Sequence, residues 1–240
     1  VSTLLLRLAA PLQSWGRGSR FARRTTEPQP TKSGVIGLLA AALGRRRTDS
    51  LEDLLGLTFG ARLDQPGHLQ RDFHVARSLD GNTSMPLSER FYLADAVFLA
   101  AVEGEDELIQ NLDDALRHPY FPLYLGRRSC PPVGPVTLGV RALLLREALR
   151  AEPWQASLRV RRRAPRQVSV EAVADAQPDD RATFISQDVP VSFDPQWRRY
   201  ATRAVNRFTV DLDNLDGRSQ PPSTDGGVGG HDPVDALGEP

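Results

Sequence analysis

The chain contains one cysteine, Cys130, one lysine, Lys32, and no apolar run long enough to cross a bilayer. A single thiol excludes an internal disulfide and any cysteine-based zinc cluster, and it fits a reducing compartment. The apolar N-terminal segment STLLLRLAA is short and interrupted by Arg7, so it has neither the architecture of a secretion signal nor the roughly 20 residues of a membrane helix. A soluble, cytoplasmic protein with no membrane association is expected. The four histidines, His68, His74, His118 and His231, are scattered, and neither they nor the acids show metal-ligand spacing. No metal and no cofactor is expected.

Net charge is also absent: 30 cations balance 30 acids over 240 residues. The balance is not uniform along the chain. Residues 1–50 hold nine cations against two acids, a net of +7, whereas residues 211–240 hold one cation against seven acids, a net of −6. A basic body is cancelled by an acidic tail, and a ligand meets the field of the body. At 40% hydrophobic residues the chain has enough apolar surface for a core.

The basic residues concentrate in residues 8–44, where an apolar strand opens into a loop and then an apolar helix. Arg17, Arg20, Arg23, Arg24 and Lys32 face one acid, Glu27, with Trp15 and Phe21 among them. Cations mixed with flat rings suit a row of phosphates and stacked bases. Pro30 disfavours helix at Gln29, Thr31 and Ser33 are both possible N-caps, and GVIGLLAAALG then reads as a helix closed by Gly44. The free N–H groups of its first turn make an anion site beside Lys32. A nucleotide-binding P-loop is excluded, because the glycines it requires are Thr26 and Thr31 here.

Further along, SLEDLLGL predicts a short helix and LTFGARLD a strand. Residues 65–89 break the pattern: RDFHVARS is strand-like and Asp80-Gly81-Asn82 is a turn, which reads as an extended hairpin leaving the main sheet, with Arg71, His74, Arg77 and Arg90 on it. RFYLADAVFLAAVEG predicts a strand, Glu105 to Arg117 an amphipathic helix, and TLGVRALLL a closing strand. The order β-α-β-(arm)-β-α-β is that of an α+β, ferredoxin-like fold, the class to which RNA-recognition motifs belong. Residues 1–146 form this unit, with the insertion at about 65–90. LRVRRRAP, QVSVEAVAD, RATFISQDVPVSF and AVNRFTVDLD give a small β-rich part over 147–212, in which Arg161, Arg162 and Arg163 read as a solvated strand edge, with another phosphate contact as the alternative. Residues 213–240, rich in Gly, Pro, Ser and Asp, are expected to be disordered.

PLQSWG at 11–16, Arg20-Phe21, PTKSGVIGLLAAALG at 30–44, RDFHVA at 71–76, RFYLADAVF at 90–98 and PYFPLYLGRRSCPP at 119–132 together resemble the RAMP proteins of CRISPR-Cas systems, specifically the Cas-five family. These motifs span most of the first 140 residues, and nothing comparable follows about Arg150. The resemblance implies a ferredoxin-like palm with a β-hairpin thumb, in a type I-E Cascade subunit that caps the 5′ handle of the crRNA. It implies contacts with the backbone subunit CasC through the thumb, a neighbouring large subunit, CasA, and target DNA within the assembled antiviral complex. Carried over, Arg127 and Arg128 of the Gly126 turn approach the handle, Lys32 and Ser33 bind phosphate, Gln13 reads a base edge and Trp15 stacks or plugs the core. Arg20, Arg23 and Arg24 neutralise the backbone, and Arg71, His74, Arg77 and Arg90 lie on or beside the thumb. Relatives in subtype I-C that cleave the CRISPR repeat are thought to use a Tyr, a Lys and a His; here no histidine follows the only lysine in its loop. A non-catalytic RNA-binding subunit is therefore expected, with a metal-independent repeat endoribonuclease using His74 or His118 as the alternative. A pure protein scaffold would leave the cation-rich first fifty residues unexplained.

Overall fold

In the run Leu4-Leu5-Leu6-Arg7-Leu8 both faces of a strand are apolar, so the strand needs cover on each side. A computed structural model of the protein, which describes residues 1–16, 23–177 and 179–218, provides it. Strand β1 (Ser2–Ala9) is followed by the two-residue strands β2 (Leu12–Gln13) and β3 (Arg23–Arg24), helices α1 (Lys32–Ala42) and α2 (Glu52–Leu55), and strand β4 (Thr58–Gln65). An arm of β5 (His68–His74) and β6 (Ser88–Ala94) leads into β7 (Val97–Gly104), α3 (Asp106–Arg117) and β8 (Thr137–Arg141). Then come α4 (Leu145–Ala151), α5 (Leu158–Arg161), β9 (Gln167–Asp175), β10 (Phe184–Ser192) and β11 (Arg199–Asp213).

Seven strands form one antiparallel sheet in the order β10-β11-β9-β4-β7-β1-β8. Leu4, Leu6, Leu8, Phe59, Phe98 and Val102 face the core shared with α1 and α3. Leu5, Leu99 and Ala101 face the other way, against Leu145, Ala148 and Leu149 of α4. The strands after α4 join the sheet through β9 on β4. Helix α1 starts where Thr31 Oγ1 accepts the Gly34 N–H at 3.1 Å and ends where Gly44, at φ +79°, lets Arg45 N–H reach back to Ala40 O. No described helix is long and apolar enough to cross a membrane.

The second sheet is built on β6, which pairs with β5 along one edge and with β2 and β3 along the other. The single strand predicted over 90–104 is broken at Asp95, whose φ of 58° turns the chain between β6 and β7 and sends β6 into the arm. Two other segments differ from their predicted strand character. Leu144 and Leu145 start α4, because Glu147 and Glu103 accept their N–H groups. LRVRRRAP forms α5 and a following turn: β9 already occupies the edge of β4, so the segment closes its hydrogen bonds locally onto Ser157 and Leu158.

Candidate nucleic-acid interface

Gln13, expected at the RNA, is a core residue, and Trp15 takes the second of its two expected places, as a plug of the core. Gln13 is fully buried; its amide donates to Leu8 O at 3.2 Å and Ala96 O at 2.7 Å, and accepts from Trp15 Nε1 at 3.1 Å. Every polar atom of the Gln13 side chain is engaged, so none is left to read a base. Trp15 lies against Gly34, where a Cβ would come within 2.7 Å of its ring. The pair joins β2 to α1 and to the β6–β7 turn.

Lys32 and Ser33 also point inward. The anion site at the start of α1 exists, but the protein fills it: Lys32 N–H donates to Asp188 Oδ2 at 2.7 Å, and Lys32 Nζ pairs with Asp175 at 3.0 Å. Arg203 completes the network, with Nε 2.7 Å from Asp188 and Nη1 bonded to Asp175. Burial pushes the Asp188 carboxyl up, but the hydrogen bond and charge of Arg203, with the Lys32 N–H and Ser186, outweigh it and hold the carboxyl below its ordinary value. Burial opposes the Arg203 charge, and Asp188 with Asp175 reverses that, raising its pKa. Ser33 Oγ is 3.3 Å from Thr31 Oγ1. Neither Lys32 nor Ser33 presents a free group to a phosphate.

The cations that remain outward collect on the second sheet. Gly126, at φ +87°, lies so close to β2 that a Cβ would fall 1.6 Å from Ser14 O, and Ser14 N–H donates to Leu125 O at 3.1 Å. Only glycine permits that approach. The turn thereby sets the Arg127 guanidinium 4.6 Å over the Tyr92 ring, with Nη2 donating to Arg24 O at 2.9 Å. Asp72, Arg90 and Arg24 align across β5, β6 and β3, so they share a face with Tyr92, two residues along β6. Arg128, next in the chain after Arg127, is exposed. Arg90 Nε and Arg127 Nη1 are buried donors with no acceptor among the described residues.

The opposite face of the same sheet is different in kind. Arg23 lies 5.3 Å over Phe91 and 4.0 Å from Glu89, and Arg71 lies 4.8 Å over Phe73. Leu69 and Phe73 on this face are exposed, and the distal arm adds exposed Val75, Leu79, Met85 and Leu87. His74, on the Arg90 face, pairs with Asp72, and Arg77 is in the distal arm, where it bridges to Ser84. Arg20 lies outside the described residues. The expected basic residues are thus split: Arg24, Arg90 and Arg127 come together, Arg128 follows Arg127 in the chain and is exposed, Arg23 and Arg71 occupy the reverse face, and Lys32 is withdrawn. Tyr92 and Phe91, the rings under the guanidiniums, escaped sequence reading. Their signal is the strand alternation of Arg90-Phe91-Tyr92, which puts Arg90 and Tyr92 on one side and Phe91 on the other. Among the described residues no group of three or more His, Cys, Asp or Glu is arranged to hold a metal.

Fold and interface together define a β-rich protein with a basic, ring-backed platform at the root of a projecting arm. The family model described as CRISPR-associated protein (Cas_Cas5) matches residues 3–206, and the chain belongs to that family. It is 36% identical over 158 residues to the CRISPR system Cascade subunit CasD of Escherichia coli (strain K12), over 58% of this chain and 70% of the relative. A chain of a structure titled CRISPR RNA-guided surveillance complex superposes with a TM-score of 0.75 at 34% identity, over 92% of this chain and 95% of its own. One titled Crystal structure of Cas protein gives 0.69 at 38% identity, over 92% of this chain and all of its own.

Proposed function

We propose that the chain is the crRNA-binding Cascade subunit that caps the 5′ handle of the guide in a type I-E complex, acting in the cytoplasm in antiviral DNA interference. The observation that carries the reading is the platform of Arg24, Arg90 and Arg127, which the Gly126 turn and the Tyr92 ring hold together and which makes no ion pair among the described residues. Guanidiniums that no carboxylate of the protein engages are available for charge-assisted hydrogen bonds to phosphate oxygens. In this reading β8, β1, β7 and β4 are the fourth, first, third and second strands of a ferredoxin-like palm, with α1 and α3 as its helices. The arm is the thumb. Its reverse face, where exposed Leu69 and Phe73 flank Arg71, suits the backbone subunit CasC, since apolar and aromatic groups with arginine mark protein interfaces. The large subunit CasA and target DNA complete the assembly.

No catalytic residue is assigned. A cleaving site of the subtype I-C kind needs a lysine near the scissile phosphate, and the lysine of this chain is committed to Asp175. The test is binding of end-labelled handle RNA and a scrambled control, with and without the backbone subunit, for the wild type and for Arg24→Ala/Arg90→Ala/Arg127→Ala. The expected result is a loss of about tenfold or more for the handle, a salt slope lower by about 0.7 per single-strand phosphate contact removed, and intact RNA on a denaturing gel. Unchanged affinity and slope would remove the interface. Metal-independent cleavage at one position would replace capping with repeat processing.

A further inference from the structure

Between Glu152 and Glu171 the chain has 18 residues with five arginines and no acid, although cations and acids are equal in number overall. Arg161 pairs with Asp216 at 2.9 Å. Arg159, Arg162, Arg163 and Arg166 are exposed and have no acidic partner among the described residues. Arg159, Arg162 and Arg163 follow the i, i+3, i+4 spacing of one helical face, while Val160 and Ala164 turn inward against Trp154 and Val210. The display is held rigidly. Asn214 Nδ2 donates to Arg161 O at 2.8 Å and Pro165 O at 2.9 Å, and Arg218 N–H donates to Ala164 O at 3.1 Å.

Its position gives it meaning. Ser157 N–H donates to Gln65 Oε1 at 3.0 Å, and Trp154 Nε1 to Asp64 O at 2.7 Å, so this segment is fixed to the end of β4 from which the arm departs. A cleft of about 260 Å³ lined by Arg7, Trp154, Gln155, Ser157 and Arg161 lies alongside. We propose that the α5 arginines form a second nucleic-acid phosphate track at the arm end of the sheet. This rests on the nucleic-acid reading above and extends it to a stretch of backbone beyond the handle platform. Four like charges held together with no acid between them suit a polyanion, whose successive phosphates they can neutralise. The backbone can belong to the guide RNA or to duplex target DNA.

The experiment uses the full chain in the assembled complex, with Arg159→Gln/Arg162→Gln/Arg163→Gln/Arg166→Gln beside the Arg24/Arg90/Arg127 variant. One arm measures retention of labelled guide RNA; the other measures binding of duplex target DNA by the RNA-loaded complex, both across a salt series. The expected result is a loss of about tenfold or more in one arm, with the log–log salt slope lower by about 0.9 per duplex contact or about 0.7 per single-strand contact. The arm that responds identifies the source. If neither arm changes for the α5 set while the Arg24/Arg90/Arg127 set loses guide RNA, the second track is wrong and the capping reading stands; if neither set has an effect, both fail. A complex that no longer assembles although the free chain melts normally assigns α5 to a protein neighbour and also overturns the track. Should the fourfold variant not fold, Arg162→Gln/Arg163→Gln reads the same arms with about half the slope change.

Discussion

Two clusters of cations in this molecule are built on opposite terms. Around Lys32 and Arg203, two positive side chains meet two carboxylates, Asp175 and Asp188, and all four are buried or nearly so. Around Arg24, Arg90 and Arg127, the Arg127 guanidinium is set on the Tyr92 ring and donates to the Arg24 carbonyl, and the three arginines make no ion pair among the described residues. The first cluster is neutral in sum and fastens α1 to β9, β10 and β11. The second keeps its charge available. What separates them is whether the protein supplies the anion itself, and that difference can be attacked from either side.

The largest effect is expected at Arg203. Arg203→Ala leaves Asp188 and Asp175 buried with one cation between them, and removing one member of a buried pair costs about 3–5 kcal/mol. Arg24→Ala, on the exposed platform, should change stability by no more than about 0.5 kcal/mol. Urea unfolding midpoints for the two variants test this directly. Equal losses would mean that the platform is as structural as the buried network, and the contrast would collapse.

Acid gives the next effect, and its sign follows from Asp188. The folded-state pKa of Asp188 lies below its ordinary carboxylate value, so the folded state binds fewer protons than the unfolded one in the window between the two. The resulting stability is fully present above the unfolded value of about 3.9 and is lost as pH falls through the folded one. The melting temperature of the wild type should therefore drop on acidification below about pH 4, and Asp188→Asn should start lower at neutral pH but show a flatter acid limb. An unchanged acid limb in Asp188→Asn would place the sensitivity in other carboxylates.

The contrast between the clusters also shows what could be read without coordinates. α1 with its Thr31 cap, α3 and the apolar β1 were legible, because caps and periodicity are local signals. The Gly126 turn was expected to come close to the handle; the close approach the structure shows is to Ser14, the residue after β2. The inward turn of Lys32 was not legible: its partners are 143 and 156 residues away, in β9 and β10, where the sequence offered no motif. The same limit hid β3, a strand of two residues that exists only because β6 pairs with it, and α5, whose helical turn results from a sheet edge already taken. A loop rich in arginine and lysine gives the charge but not the address of its counter-ions.

Lys32→Met is the smallest change and the sharpest probe of that point. It removes the lysine charge while leaving the α1 backbone N–H on Asp188, and Asp175 keeps Arg203 and the N–H of Phe59. The cost should be about 1.5–3 kcal/mol, the size of one hydrogen bond to a charged group, rather than that of an abandoned buried carboxylate. Handle RNA affinity and its salt slope should match the wild type, because the ammonium is spent on Asp175 and does not reach a phosphate. A salt slope lower by about 0.7, the signature of one lost single-strand phosphate contact, would show that Lys32 leaves Asp175 when RNA arrives. In that case the two clusters would be alternative states of one binding surface, and the internal carboxylates would act as competitors for the phosphate instead of permanent partners.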